Sequence, residues 1–162
     1  MTNFKTLSPE KLRAACRDGT FGGPTSGFAP GSVQANLVIL PSAYAQEFEE
    51  FCRRNPRPCP VLEVLRAGDF ELNKIAPKAD IRTDLPRYRV FRDGHTQYEV
   101  TNILDLWNED LVTFLLGCSF VAEDALLKAG LLLPHISETG FVPMYRTTVP
   151  CKSAGRFEGT MV

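Results

Sequence analysis

The sequence predicts an α/β protein: a mixed sheet flanked by helices, with an inserted β-hairpin subdomain. Three observations predict it. Val33 to Leu40 (VQANLVIL) is β-prone and nearly continuously apolar after Asn36, as a strand covered on both faces reads. Tyr44, Phe48 and Phe51 follow at helical spacing, and then a short β-prone run, Val61 to Leu65; strand, helix, strand in that order suggests a βαβ unit. Further on, Asp93-Gly94 separates Arg87–Arg92 from His95–Val100, a two-residue turn of the primed type. The hairpin and its approach form an insertion around residues 68–104 in a single α/β domain spanning 1–162.

Each element has local support. Ser8 caps a first helix, Pro9 suits its first position, Glu10 complements its dipole and Gly19 ends it. Asp18 to Gly31 is a Gly/Pro-rich loop without the spacing of a phosphate-binding loop. In the first strand Gln34 and Asn36 point to one side. The second helix starts near Pro41 and Ser42, and Asn55 to Pro60 (NPRPCP) stops it. Ala67 to Ala79 reads as a polar connection. Asp105 to Phe120 reads as mostly helical, with Leu106, Trp107, Leu111, Phe114 and Leu115 as its apolar stripe and Gly117 interrupting it. A further helix runs from about Phe120 to Lys128 and ends at Gly130. Two short extended pieces close the sequence, Val142–Val149 and Ala154–Val162.

Charge and composition narrow the function classes. Eighteen Lys and Arg balance nineteen Asp and Glu, for a net charge of -1, which gives no pull on nucleic acid or an anionic membrane. The longest apolar candidate, Leu111 to Phe120, is broken by Thr113 and Gly117 and is too short for a bilayer. The N-terminus lacks the apolar core of a secretory signal, and no transit peptide is read there. Five cysteines, an odd count without a CxxC pair, predict free thiols in a reducing compartment. The expected location is cytoplasmic, with the mitochondrial matrix open to eukaryotic relatives. Two histidines and widely spaced cysteines give no zinc pattern.

Three stretches carry candidate chemistry. Ala79 to Gly94 (ADIRTDLPRYRVFRDG) holds Arg82, Arg87, Arg89 and Arg92 among Asp80, Asp84 and Asp93. It is either an anion site built from bidentate guanidinium forks or a set of charges neutralising one another on a wet hairpin, and composition alone favours the second. Gly117-Cys118-Ser119 sits between two expected helices. Cys118 is either a reactive thiol with Ser119 orienting a substrate, or a small buried hydrophobe beside an N-cap serine, with Glu123 and Asp124 complementing the dipole; spacing favours the latter. Arg146, in an apolar-to-hydroxylic stretch, is paired with an acid or faces a ligand, and Cys151 follows it in a loop. Asn36, Gln34 and the TSGFAPG loop (Thr25 to Gly31) supply neutral donors. His95, in the hairpin turn, reads as solvated, and His135 as a satisfied surface or loop histidine rather than a catalyst.

Taken together, GFAPGSVQANLVILP (Gly27 to Pro41), FCRRNPRPCP (Phe51 to Pro60), ADIRTDLPRYRVFRDG, LWNEDLVTFLLGCSF (Leu106 to Phe120) and VPMYRTTVPCKSAGRF (Val142 to Phe157) resemble the successive signature blocks of the D-glutamate cyclase-like family, whose bacterial members carry a hydro-lyase label. The blocks occur in family order from Gly27 onward. The family's polypeptide is longer, so this sequence is expected to be the N-terminal portion of a longer fold, cut within the strand-like piece ending at Val162. Ser32 stands where an aromatic is common and Ile136–Phe141 (ISETGF) is atypical, departures that bear on loop geometry.

The resemblance implies a lyase that releases water. D-glutamate cyclase closes D-glutamate to 5-oxo-D-proline: the α-amine attacks the side-chain carboxyl carbon and water departs. Such a step needs a carboxylate anchor, a base for the amine proton, oxyanion donors and an acid for the leaving oxygen. Under this resemblance Arg146 or Arg82 anchors a carboxylate, the N–H groups around Cys118 and Ser119 hold the oxyanion, and Asp84 or Glu123 handles protons once burial raises its pKa. Arg87 braces Asp84, and Asn36 adds a neutral contact to substrate. The alternatives are a non-catalytic small-carboxylate-binding module, a hydro-lyase acting on a different hydroxy acid and, less favoured, a thiol enzyme using Cys118. No metal or organic cofactor is implied. The expected partner is a small carboxylic or amino acid, with no nucleic acid and no membrane. An incomplete sheet edge near Val162 is the route to a homo-oligomer.

Overall fold

The computed structural model describes residues 3–134 and 144–162; His135, the ISETGF segment and the start of the piece expected from Val142 lie outside them. Helix α1 (Pro9–Arg17) forms as its caps dictate. Ser8 accepts a hydrogen bond from the Lys11 N–H, Pro9 takes the first turn, and Gly19, at φ 78°, reverses the chain as a residue without Cβ can. Leu12, Ala15 and Cys16 of α1 are buried with Phe21 and Ala29. The Phe21 ring meets Phe28 edge-on at 4.9 Å. The loop holding Phe28 is tied down by Gln34, whose side chain donates to the Phe28 carbonyl and accepts from the Thr25 hydroxyl, both at 3.1 Å.

Next come strand β1 (Ala35–Pro41), helix α2 (Ser42–Arg54) and strand β2 (Val61–Leu65), the expected strand, helix, strand. The hairpin β3 (Tyr88–Arg92) and β4 (His95–Val100) follows. Asp93 and Gly94 both have positive φ, 50° and 77°, the conformation a primed turn requires. Strand β5 (Leu111–Gly117) and the short helix α3 (Glu123–Lys128) complete the regular structure. The protein is α/β in class. The three-stranded sheet has the order β1-β5-β2, with β5 antiparallel to both neighbours. β1 and β2 therefore run parallel to each other, but β5 fills the place between them.

The main correction concerns 105–120. Instead of a helix, Leu104–Leu106 form a single 3-10 turn and Leu111–Gly117 form the central strand. A strand packed on both faces is apolar at successive positions, and over seven residues that pattern cannot be told from a buried helix by period alone. Val112 and Phe114 face α2, packing with Phe48 and Cys52. Leu115 faces the other way, with Leu65, Leu72, Ala79 and Ile81. Both faces of β1 are likewise used: Leu37 and Ile39 join the second group, Val38 and Leu40 the first. Cys118 and Ser119 thus follow a strand, not a helix. Ser119 opens a 3-10 turn over Ser119–Ala122, and the residue preceding α3 is Ala122, which makes no side-chain cap.

The connection after β2 is more than polar. Leu72, Ile75, Ala76 and Ala79 cover the sheet. Buried Glu63 of β2 holds them there, accepting from the N–H groups of Asn73 at 2.9 Å, Lys74 at 3.1 Å and Ile75 at 3.0 Å. Among the described residues 144–162, the extended pieces reduce to isolated bridges, Pro150 with Thr160 and Ala154 with Phe157. This segment lies along α2, with the Phe157 ring 5.1 Å from Phe48.

Candidate functional site

A cleft of about 120 Å³ opens between α1, the start of β1 and the turn at 79–85. Its floor is apolar, made by Leu37, Leu72, Ala79, Ile81 and Leu115; Arg13, Asn36, Asp80 and Asp84 supply its polar groups. Arg13 and Arg17 are four residues apart, so helix geometry stacks them on one face of α1. The opposing turn closes through Asp84 N–H to Asp80 C=O at 2.9 Å, which stacks the two aspartates in the same way.

These elements meet at Asp84, whose side chain is 2% exposed. Arg17 donates to both its oxygens, Nε to Oδ1 and Nη2 to Oδ2, each at 2.7 Å. The Thr83 hydroxyl adds 3.0 Å and the Asp80 N–H 3.2 Å. Asp80 in turn accepts from Arg82, Nε at 3.0 Å and Nη2 at 2.7 Å, and the Arg82 guanidinium lies 3.4 Å above the Phe70 ring. Burial pushes the Asp80 carboxyl up, but the Arg82 hydrogen bonds and charge outweigh it and hold it below the usual carboxylate range. The cleft therefore presents fixed charges of both signs above a hydrocarbon floor.

Residues 112–162 match the family model described as D-glutamate cyclase. A protein of Geobacillus kaustophilus named "Putative hydro-lyase" is 51% identical over all 162 residues, which cover 62% of its length. Proteins of the same name from a Jannaschia species and Staphylococcus haemolyticus are 53% and 52% identical over 97% and 98% of the chain, and 59% and 61% of their own lengths. Over residues 112–162 the chain resembles the D-glutamate cyclase family. It spans about six-tenths of the length of these curated relatives. The cleft residues Arg13, Asp80 and Asp84, and Arg17 that holds Asp84, precede the segment matched by the family model but fall within the part shared with the Geobacillus relative.

The residues singled out from sequence do not gather in one place. Asn36 and Asp84 line the cleft. Arg82 stands behind it, already bidentate to Asp80. Arg87 does not brace Asp84. It donates to Glu99 at 3.2 Å across the hairpin, beside Arg89, and lines an open polar groove with Thr101, Asn102 and Asp105. The brace is Arg17, 67 residues away from Asp84 in sequence. Cys118, Ser119, Glu123 and Arg146 are not among the residues lining the cleft. The Cys118 N–H donates to the Gln34 carbonyl at 3.3 Å, so it is spent on the fold. Glu123 opens α3, and Arg146 is exposed in an irregular stretch.

All five cysteines are free thiols. Burial, then the charges of Asp84 and Asp18, push Cys16 up to about 11, and burial chiefly pushes Cys52 up to about 12; both behave as apolar packing groups. Among the described residues no cluster of three His, Cys, Asp or Glu is placed to hold a metal ion, and no helix is long and apolar enough to cross a membrane.

Proposed function

We propose that this chain carries the substrate cleft of a hydro-lyase acting on a small carboxylic or amino acid, with ring closure of D-glutamate to 5-oxo-D-proline as its reaction. The single observation that carries the reading is the cleft itself: arginine and aspartate charges fixed above an apolar floor, in a chain whose relatives are named hydro-lyases. A zwitterionic amino acid matches both signs, and its methylenes match the floor.

In this reaction the N–C bond forms as the α-amine adds to the side-chain carboxyl carbon. A C–O bond then breaks, and the two protons lost by the ammonium leave with that oxygen as water. Asp80 and Asp84 draw the ammonium toward the turn. The Asn36 amide, at the cleft rim, donates to the tetrahedral oxyanion. Fixing the folded-back chain of the substrate converts proximity into rate. Arg82 acts through Asp80, which it holds in place, and Glu123 and Arg146 act only if substrate reaches beyond the cleft.

An NMR time course of D-glutamate with the protein, beside L-glutamate and a few hydroxy acids, tests this. 5-Oxoproline from the D isomer alone is the expected result. Release of water from a hydroxy acid instead assigns a different substrate. A second reading, a carboxylate-binding module without turnover, is favoured by one observation: both carboxylates of the cleft are bonded to arginines. Saturable binding without conversion in that time course selects it.

A further inference from the structure

Arg13 is the cation in the cleft that the fold leaves uncommitted. Its Nε stands 4.0 Å from Asp84 Oδ2, beyond hydrogen-bond reach. Asp84 has no acceptor position left for it, because Arg17, the Thr83 hydroxyl and the Asp80 N–H fill the four on its two oxygens. Among the described residues the Arg13 side chain makes no hydrogen bond, although it is only 23% exposed. Glu10, one turn earlier on α1, is the other acid that feels its charge; Glu10 is fully exposed and engaged with the Ser8 cap. A guanidinium carries five N–H donors in a planar fork and cannot lose its charge. Three-quarters withdrawn from water and lining an apolar-floored cleft, it lacks only a carboxylate within hydrogen-bond reach.

We infer that Arg13 is the carboxylate-binding residue of this cleft, and that Arg17 is a positioning residue that engages Asp84 and so leaves Arg13 free for that role. This rests on the cleft being the substrate site. The ligand class is a small carboxylate whose remaining atoms are short and largely hydrocarbon, because Leu37, Ile81 and Leu115 face it and the cavity is about 120 Å³. Arg13 replaces Arg82 as the anchor for a physical reason: Arg82 already has its carboxylate in Asp80.

The test compares 5-oxo-D-proline with 2-pyrrolidinone, the same ring without its carboxylate, by calorimetric or NMR titration of the 162-residue chain. Wild type is expected to bind the acid about tenfold or more tightly than the neutral ring, as a charge-assisted pair provides. Arg13→Gln removes that preference and leaves 2-pyrrolidinone affinity unchanged; Arg13→Lys restores part of it. Arg17→Gln lowers the melting temperature, whereas Arg13→Gln, which breaks no hydrogen bond, leaves it nearly unchanged. A wild type that does not distinguish the two ligands, or an Arg13→Gln variant that still does, overturns the inference. If Arg13→Gln abolishes the preference while no protein converts D-glutamate, Arg13 stands as anchor and the D-glutamate ring-closure reading falls.

Discussion

Thr113 sits at the centre of β5, fully buried, between Ile39 and Leu65 on the neighbouring strands. Its hydroxyl has no hydrogen-bond partner among the described residues. A buried hydroxyl without a partner loses its water and gains nothing in return. Thr113→Val keeps the β-branched shape and removes the liability, so it is expected to stabilise the fold by about 1 kcal/mol. The urea midpoint should rise at an unchanged slope; a fall would mean the hydroxyl is satisfied in solution. The same scale shows what the sequence could disclose about the site. Asn36 and Asp84 stood out as polar groups in otherwise core-like blocks, and both line the cleft. Arg13 and Arg17 were invisible because arginines on an amphipathic surface helix are ordinary. Nothing local says that one of them spans 67 residues to a buried aspartate.

Among the elements, those fixed by local chemistry were legible and the one fixed by packing was not. Caps and glycines define α1, and the Asp93-Gly94 turn defines the hairpin. β5 has no such mark: its neighbours come from residues 35–41 and 61–65, and only their presence on both sides turns a continuous apolar run into a strand. β2 depends on one side chain in a comparable way. Burial pushes the Glu63 carboxyl up, but the N–H groups of Ile75, Asn73 and Lys74 outweigh it and hold the group below its ordinary value. Because the folded value lies below the unfolded one, about 4.3, Glu63 stabilises the fold above that pH. The contribution is lost as pH falls through the folded value. Glu63→Gln is expected to cost about 1–3 kcal/mol at pH 7, since it leaves buried N–H groups short of an acceptor. Denaturation at pH 7 and near pH 3 checks the sign: the gap to wild type should narrow in acid. A gap that is constant or widens there removes ionisation as the cause.

Across the whole molecule, distant parts of the chain are joined by a few long-range contacts, and these set how the segment after residue 150 is held. Asn55, at the end of α2, donates to the carbonyls of Phe51 and Lys152 and accepts from the Lys152 N–H, each at 2.8 Å. Arg54 donates to the Ser153 carbonyl at 2.8 Å. Glu47 receives the Arg156 N–H and Nε at 2.9 Å, and Arg156 lies over the Tyr44 ring. Gly155 lets the chain pass this close. Its φ is 55°, and a Cβ there would stand 2.3 Å from Glu47 Oε2. Gly155→Ala therefore adds left-handed strain of about 1–2 kcal/mol and forces the Glu47 carboxylate off Arg156. Asn55 and Phe157 still hold their own ends of the segment, so the loosening should be local. Amide exchange at Cys151, Ala154 and Phe157 is expected to speed up well beyond that of the β5 amides, which report global opening. Equal acceleration at both places would show that the segment and the sheet unfold together, and the clamp would then be part of the core.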